Sequence, residues 1–134
     1  MNVGAYIRLF TVFEEQDTSV INQEEGLNDY IRRNGWILFV TYSERQSSFK
    51  RREEFQRLIK DARSKRFQIV LVKSLGRFGR NIGELNTVVP ELVEKGIRFI
   101  ALAEDIDTDK QGWQSEIVKF SLVPKLVIQV HGYA

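Results

Sequence analysis

The stretch FQIVLVKSLGRFGRN, residues 67–81, is an apolar run that stops abruptly at a basic, glycine-bearing one. Phe67 to Lys73 is short and almost continuously apolar, which reads as a strand buried on both faces, the kind used by parallel sheets. The SLGRFGRN that follows has two glycines and no apolar period, so it reads as a loop with special backbone needs.

Working outward, the pattern repeats on both sides. Residues 3–12 alternate and are rich in β-branched and aromatic types, which predicts a first strand. Asp17, Thr18 and Ser19 open a helix whose loose stripe is Ile21, Leu27, Tyr30 and Ile31, and Asn34-Gly35 stops it. WILFVTY, residues 36–42, reads as a second buried strand, and SERQSSFKRR, residues 43–52, as a polar loop. Phe55, Leu58, Ile59 and Ala62 lie at i, i+3, i+4 and i+7, an amphipathic helix. A third helix carries Ile82, Leu85, Val88, Val89 and Leu92 and ends at Gly96, with Pro90 expected to kink it or to open one hydrogen bond. IRFIALA, residues 97–103, completes the set as a fourth strand.

Strand and helix in strict alternation define an α/β domain with a mainly parallel sheet of four to five strands and helices on both faces. The expected division is a domain over residues 1–111 and an atypical tail over 112–134, where Pro124 and Gly132 break helices and KLVIQV alternates like a short edge strand. In such sheets function gathers at the carboxyl ends of the strands.

Composition narrows the chemistry. The chain is 43% hydrophobic and 28% charged, ordinary for a globular domain. It has no cysteine, which removes disulfides, thiolate metal sites and a cysteine nucleophile, and its single histidine, His131, leaves little for a metal centre or a Ser-His-Asp triad. No metal or cofactor is expected. No apolar run is long enough for a bilayer and no signal peptide opens the chain, so no membrane association and a cytoplasmic location are expected. Net charge is +2, but residues 45–80 hold twelve Lys and Arg against three Asp and Glu, a local +9, while the rest carries −7. A basic segment against an acidic remainder points to a polyanionic partner on one face.

The arginines concentrate that charge where the sheet topology puts function. Arg8 leaves the first strand, Arg52 opens the second helix, and Arg77 and Arg80 flank Phe78-Gly79 beyond the third strand. Guanidinium forks match phosphate oxygens in two-point geometry, so their convergence reads as a phosphate site. The alternative is that each arginine pairs with its own surface carboxylate. No G-x-x-x-x-G-K-[ST] and no G-x-G-x-x-G after a strand is present, and GRFG matches the G-x-x-G loop of KH domains only in a wrong order of elements.

AYIRL (5–9), NQEEGLNDYIRRNGW (22–36), residues 51–81 and VVPELVEKGIRFIAL (88–102) together resemble the catalytic domain of serine recombinases, the resolvase/invertase family, in look nearest the large members of transposons and phages. The resemblance implies a resolvase-like catalytic domain acting in site-specific DNA recombination and DNA integration: a serine attacks the DNA phosphate, forms a phosphoserine link without metal, and dimers pair for strand exchange. On that resemblance Tyr6 and Arg8 fall on the first-strand motif, Gln23 on the glutamine of the first helix, Ser47 and Arg52 on the serine and arginine of the mobile loop, Arg63 on a basic position of the next helix, and Arg77 and Arg80 on the paired arginines. The arginines carry the catalytic role, and Tyr6, Gln23, Ser47 and Arg63 a role in binding DNA or its phosphate.

The departures are specific. Phe10 stands at the position of the nucleophilic serine, Glu44 is the acidic residue of the mobile loop, Ser48 replaces a glycine, Gln68 an aspartate and Gly76 an aspartate. Phenylalanine has no lone pair, so this copy is expected to be cleavage-deficient, with DNA and either a second copy or an intact recombinase as partners. The rival expectation is a non-catalytic protein-protein or DNA-binding module derived from this fold. A weaker one is an α/β enzyme for a phosphorylated metabolite.

Overall fold

The computed structural model describes residues 1–9, 19–45 and 51–120, with side chains in the second stretch from Asn22 onward. The elements are β1 (Asn2–Arg8), α1 (Ser19–Arg33), β2 (Ile37–Glu44), α2 (Glu53–Arg63), β3 (Ile69–Val72), α3 (Leu75–Phe78), α4 (Ile82–Glu94), β4 (Arg98–Ala101) and β5 (Ile106–Asp107). Residues 113–120 are also helical. The strands form one sheet in the order β2-β1-β3-β4-β5. β1 pairs in parallel with β2 and β3, β3 in parallel with β4, and β5 returns antiparallel beside β4. This is the mainly parallel α/β domain that the alternation predicts.

Strand alternation divides the core in two. Val3, Ala5 and Ile7 of β1, Ile69 and Leu71 of β3 and Ile100 of β4 pack on one face against Leu27 and Ile31 of α1. Tyr6, Val70, Val72, Phe99 and Ala101 point to the other face, onto Phe55, Leu58 and Ala62 of α2 and Leu85, Val89 and Leu92 of α4. Gly4 is needed on that second face because a Cβ there would lie 2.8 Å from the Phe67 ring.

Two local expectations change. WILFVTY is not buried throughout: β2 is an edge strand, and Ile37 and Phe39 are 65% and 37% exposed. A continuous apolar run does not reveal how many neighbours a strand has. SLGRFGRN is not an open loop, because Leu75–Phe78 make one helical turn. Its Ser74 side chain accepts from the Arg77 N–H and Glu104 Oε1 from the Leu75 N–H at 3.0 Å, so two side chains satisfy the free donors of that turn. Helix α4 runs through Pro90 without ending there. Proline has no N–H to give to the carbonyl four residues back, that of exposed Asn86, so one bond of the helix ladder is not made. The KLVIQV run lies outside the described residues.

At the end of the sheet opposite the strand carboxyl ends, Gln68 Oε1 accepts from the Asn2 N–H at 2.8 Å and fastens β1 to the entry of β3. Arg98 grips Asp107 through two hydrogen bonds of 2.9 and 2.7 Å and holds β5 against β4. Burial pushes the Asp107 carboxyl up, but the Arg98 hydrogen bond, the Asp109 backbone N–H and the Arg98 and Lys110 charges together hold it below its ordinary value.

Candidate functional site

β1 ends at Arg8, which is 8% exposed. Its Nη2 donates to the carbonyls of Gly76 at 2.5 Å and Gly79 at 2.9 Å. Arg77 Nη1 donates back to the Arg8 carbonyl at 2.8 Å. The end of β1 and the α3 turn are thus stitched in both directions, each arginine holding the backbone that carries the other.

The turn is anchored from below by Phe78, which is fully buried. Its ring centroid is 4.9 Å from Phe99, 5.2 Å from Phe55 and 5.9 Å from Tyr6, the last edge to face. Such contacts add about 0.5–1.5 kcal/mol each beyond area burial. Gly79 is required by close approach, since a Cβ there would lie 2.7 Å from Leu85 Cδ2 and Cγ. Gly76 has open space instead, the nearest atom being Phe120 Cζ at 4.0 Å. Gly79→Ala is therefore expected to cost about 1–3 kcal/mol in urea unfolding, and Gly76→Ala well under about 1 kcal/mol. Equal effects would mean that the packing of Leu85 under the turn does not matter.

Arg52 comes to the same turn from the α2 side. It is the N-cap residue of α2 and holds the left-handed backbone conformation, φ 51° and ψ 52°, uncommon for an arginine. Its side chain is buried, with Nη1 on Glu84 Oε1 at 2.5 Å and Nη2 on the Phe78 carbonyl at 2.6 Å. The guanidinium carbon lies 3.8 Å from the Phe55 ring centroid. The job of capping α2 falls to Glu44, the last residue of β2 and fully buried. Glu44 accepts from the N–H groups of Phe55 at 3.1 Å and Glu54 at 3.4 Å, and from the Tyr6 hydroxyl at 3.2 Å. A carboxylate at a helix N-terminus is favoured by the free N–H groups and the helix dipole.

The electrostatics record the crowding. Burial, then the Arg52 charge, push the Arg8 guanidinium below its ordinary value, and Arg80 adds to this. Burial raises the Tyr6 phenol above its ordinary value against the pull of Arg52, so it stays protonated and serves as a donor. Burial pushes Glu84 up, but the Arg52 hydrogen bond, the Arg80 backbone N–H and both positive charges hold it below the carboxylate range.

Of the residues singled out in the sequence, Arg8, Arg52, Arg77, Arg80 and Tyr6 meet around this turn. Arg80 is exposed and Arg77 half-buried. Gln23 is buried in α1, and its Oε1 takes no hydrogen bond from the described residues. Arg63 stands apart: it closes α2, about 16 Å of helix from Arg52, and pairs with Glu91 at 2.8 Å. Phe10 and Ser47 lie outside the described residues. Sequence reasoning missed Glu84 and Glu104 as parts of the site, and took Glu44 for a loop residue. The pattern Asn81-x-x-Glu84 before an apolar run carried a legible helix-start signal, and Asn81 Oδ1 does accept from the Glu84 N–H at 2.9 Å. Glu44 and Glu104 act over long sequence separations and left no local sign.

Comparison with solved structures places this fold among the catalytic domains of recombinases. The N-terminal catalytic domain of TP901-1 integrase is 26% identical, with 98% of this chain and 99% of that one covered and a TM-score of 0.75. A resolvase family site-specific recombinase from Streptococcus pneumoniae is 20% identical over 98% and 93% of the two chains, with a TM-score of 0.77. The C-terminal catalytic domain of ISC1926 TnpA, an IS607-like serine recombinase, shares the fold at 14% identity, covering 76% and 70%, with a TM-score of 0.67. No curated protein sequence matches the chain. Residues 3–121 match the family described as resolvase, N-terminal domain, and the chain belongs to that family. Among the described residues, no helix is long and apolar enough to cross a membrane.

Proposed function

We propose that this chain is a serine-recombinase-type domain that engages the phosphates of DNA through Arg8, Arg52, Arg77 and Arg80 and is deficient in strand cleavage. The supporting observation is the convergence of those arginines, from three separate segments, on the single turn after β3. Like charges gathered in a partly buried site are favourable once an oxyanion joins them, and guanidiniums meet phosphate oxygens through paired N–H groups. Tyr6 and Glu44 act as positioning residues that fix α2 and hence Arg52.

Cleavage needs an attacking atom with a lone pair to form a bond to phosphorus as the bond to the leaving sugar oxygen breaks. Position 10 supplies a phenyl ring instead of a hydroxyl. The domain then acts by occupying DNA, as a homodimer or in assembly with an intact recombinase, in the cytoplasm where its substrate lies. The test is incubation of the wild-type chain and Phe10→Ser with supercoiled DNA carrying a candidate site, followed by denaturing electrophoresis. No covalent protein–DNA adduct from the wild type is expected. A serine- or threonine-linked adduct from the wild type would contradict the cleavage defect.

A second reading, a non-catalytic pairing module, is favoured by exposed Ile37, Leu38 and Phe39 on the β2 edge, since an apolar open edge invites association. Light scattering separates the two. A salt-insensitive oligomer with no DNA affinity supports the module, whereas DNA binding that weakens steeply with salt supports the first reading.

A further inference from the structure

Glu84 occupies an unusual place for a carboxylate. Its Oε1 accepts from Arg52 Nη1 at 2.5 Å and from the Arg80 backbone N–H at 3.0 Å, while its own N–H donates to Asn81 Oδ1 at 2.9 Å. One side chain therefore joins the first turn of α4 to two of the proposed phosphate arginines. In the Arg52–Glu84 pair the arginine side chain is 4% exposed and the glutamate 25%. The rest of the Arg52 guanidinium is committed or enclosed: Nη2 is on the Phe78 carbonyl, the Phe55 ring lies against its face, and Nε is buried with no hydrogen-bond partner among the described residues.

We propose that Glu84 is a built-in counter-anion for Arg52, and that a phosphate reaches Arg52 by exchanging with this carboxylate rather than by entering an open site. The inference rests on the phosphate role assigned above to the arginines. A phosphate and a carboxylate make the same kind of paired hydrogen bonds to a guanidinium, so they compete for the same N–H groups. Glu84 is the partner free to move, because it is the more exposed and its helix is held independently by Asn81. Removal of its charge leaves Arg52 buried without a charged partner, a costly state that an incoming anion relieves. The contact also sets selectivity. A lone phosphate ion must displace Glu84 unaided, whereas a DNA backbone offers further phosphates to Arg77 and Arg80 at the same time.

The sign of the effect separates this role from a purely structural one. Glu84→Gln keeps the shape and an oxygen acceptor for Arg52 and the Arg80 N–H, but removes the charge. If Glu84 only positions Arg52, the variant binds anions equally or more weakly. If it is a competing counter-anion, the variant binds inorganic phosphate more tightly, by roughly tenfold. Titration with inorganic phosphate at neutral pH, followed by side-chain NMR, reads this directly, and a cooperative thermal transition with a midpoint still well above the titration temperature checks that the variant is folded. The expected result is the gain in Glu84→Gln and its loss in Arg52→Gln/Glu84→Gln. A double variant that binds phosphate more tightly than Arg52→Gln alone overturns the proposal, because removal of the Glu84 charge then acts without Arg52. No gain in Glu84→Gln, with weakened phosphate binding in Arg52→Gln alone, overturns the counter-anion while leaving the phosphate site standing. Phosphate binding indifferent to Arg8, Arg52, Arg77 and Arg80 alike overturns both.

Discussion

Glu44→Ala is expected to lower the free energy of unfolding by about 4 kcal/mol, enough to move a urea midpoint by roughly 2 M. The carboxylate is fully buried at the end of β2 and accepts hydrogen bonds from the Phe55 and Glu54 N–H groups and the Tyr6 hydroxyl. Hydrogen bonds to a charged group contribute about 1.5–3 kcal/mol each, and truncation leaves the donors buried without partners. The opposing term, the cost of burying a carboxylate, is recovered on its removal and keeps the net loss below the sum of the bonds. Glu44→Gln, which keeps one acceptor oxygen, should cost about half as much. A loss under about 1 kcal/mol for Glu44→Ala, at unchanged urea dependence, would mean that β2 and α2 are held together by other contacts.

The second large effect is at Arg8. Arg8→Ala removes the donor that spans the Gly76 and Gly79 carbonyls and should cost about 2–3 kcal/mol in the absence of DNA. Two opposing contributions are in play. Burial and the neighbouring Arg52 and Arg80 charges push its pKa down, so its positive charge is carried at a cost that the variant escapes. Two charge-assisted bonds to backbone carbonyls, that of Gly79 buried and that of Gly76 partly buried, outweigh that relief by the magnitudes above. Arg8→Lys should cost less than Arg8→Ala, because both bonds come from the single nitrogen Nη2, whose place an ammonium can take in part. Amide hydrogen exchange over residues 75–80 provides the local readout. Faster exchange there in both variants, with β3 and β4 unaffected, is expected, and uniform exchange throughout would show that the stitch does not hold the turn.

Much of the fold was legible because its periods are clean. The strand centred on residues 69–72 and the α2 stripe of Phe55, Leu58, Ile59 and Ala62 follow from burial alone, and the structure buries all of them but Ile59, which is half-buried. The exposed β2 edge was not legible, because an apolar run looks the same on an edge as in the centre of a sheet. The helical turn over Leu75–Phe78 was hidden as well, since a single turn is too short to show a period and is fixed by Ser74 and Glu104 rather than by an apolar face. At the site, the arginines could be gathered from topology, which puts the ends of β1 and β3 side by side. Their acidic partners could not, because Glu44 and Glu84 make contacts up to 38 residues away. Arg63 illustrates the converse: it lies in the same basic run as Arg52, yet one helix length separates them and its partner is Glu91.

The central claim is that one end of the sheet gathers guanidiniums to hold the backbone phosphates of DNA. The most direct measurement is an NMR titration of the arginine Nε–Hε signals with a short DNA duplex at low salt. The account predicts that Arg8, Arg52, Arg77 and Arg80 shift together and return as salt is raised, while Arg63 and Arg98, tied to Glu91 and Asp107, stay in place. If those four signals are unmoved while Arg63 at the far end of α2 and Arg66 just beyond it shift, DNA binds elsewhere and the account is contradicted.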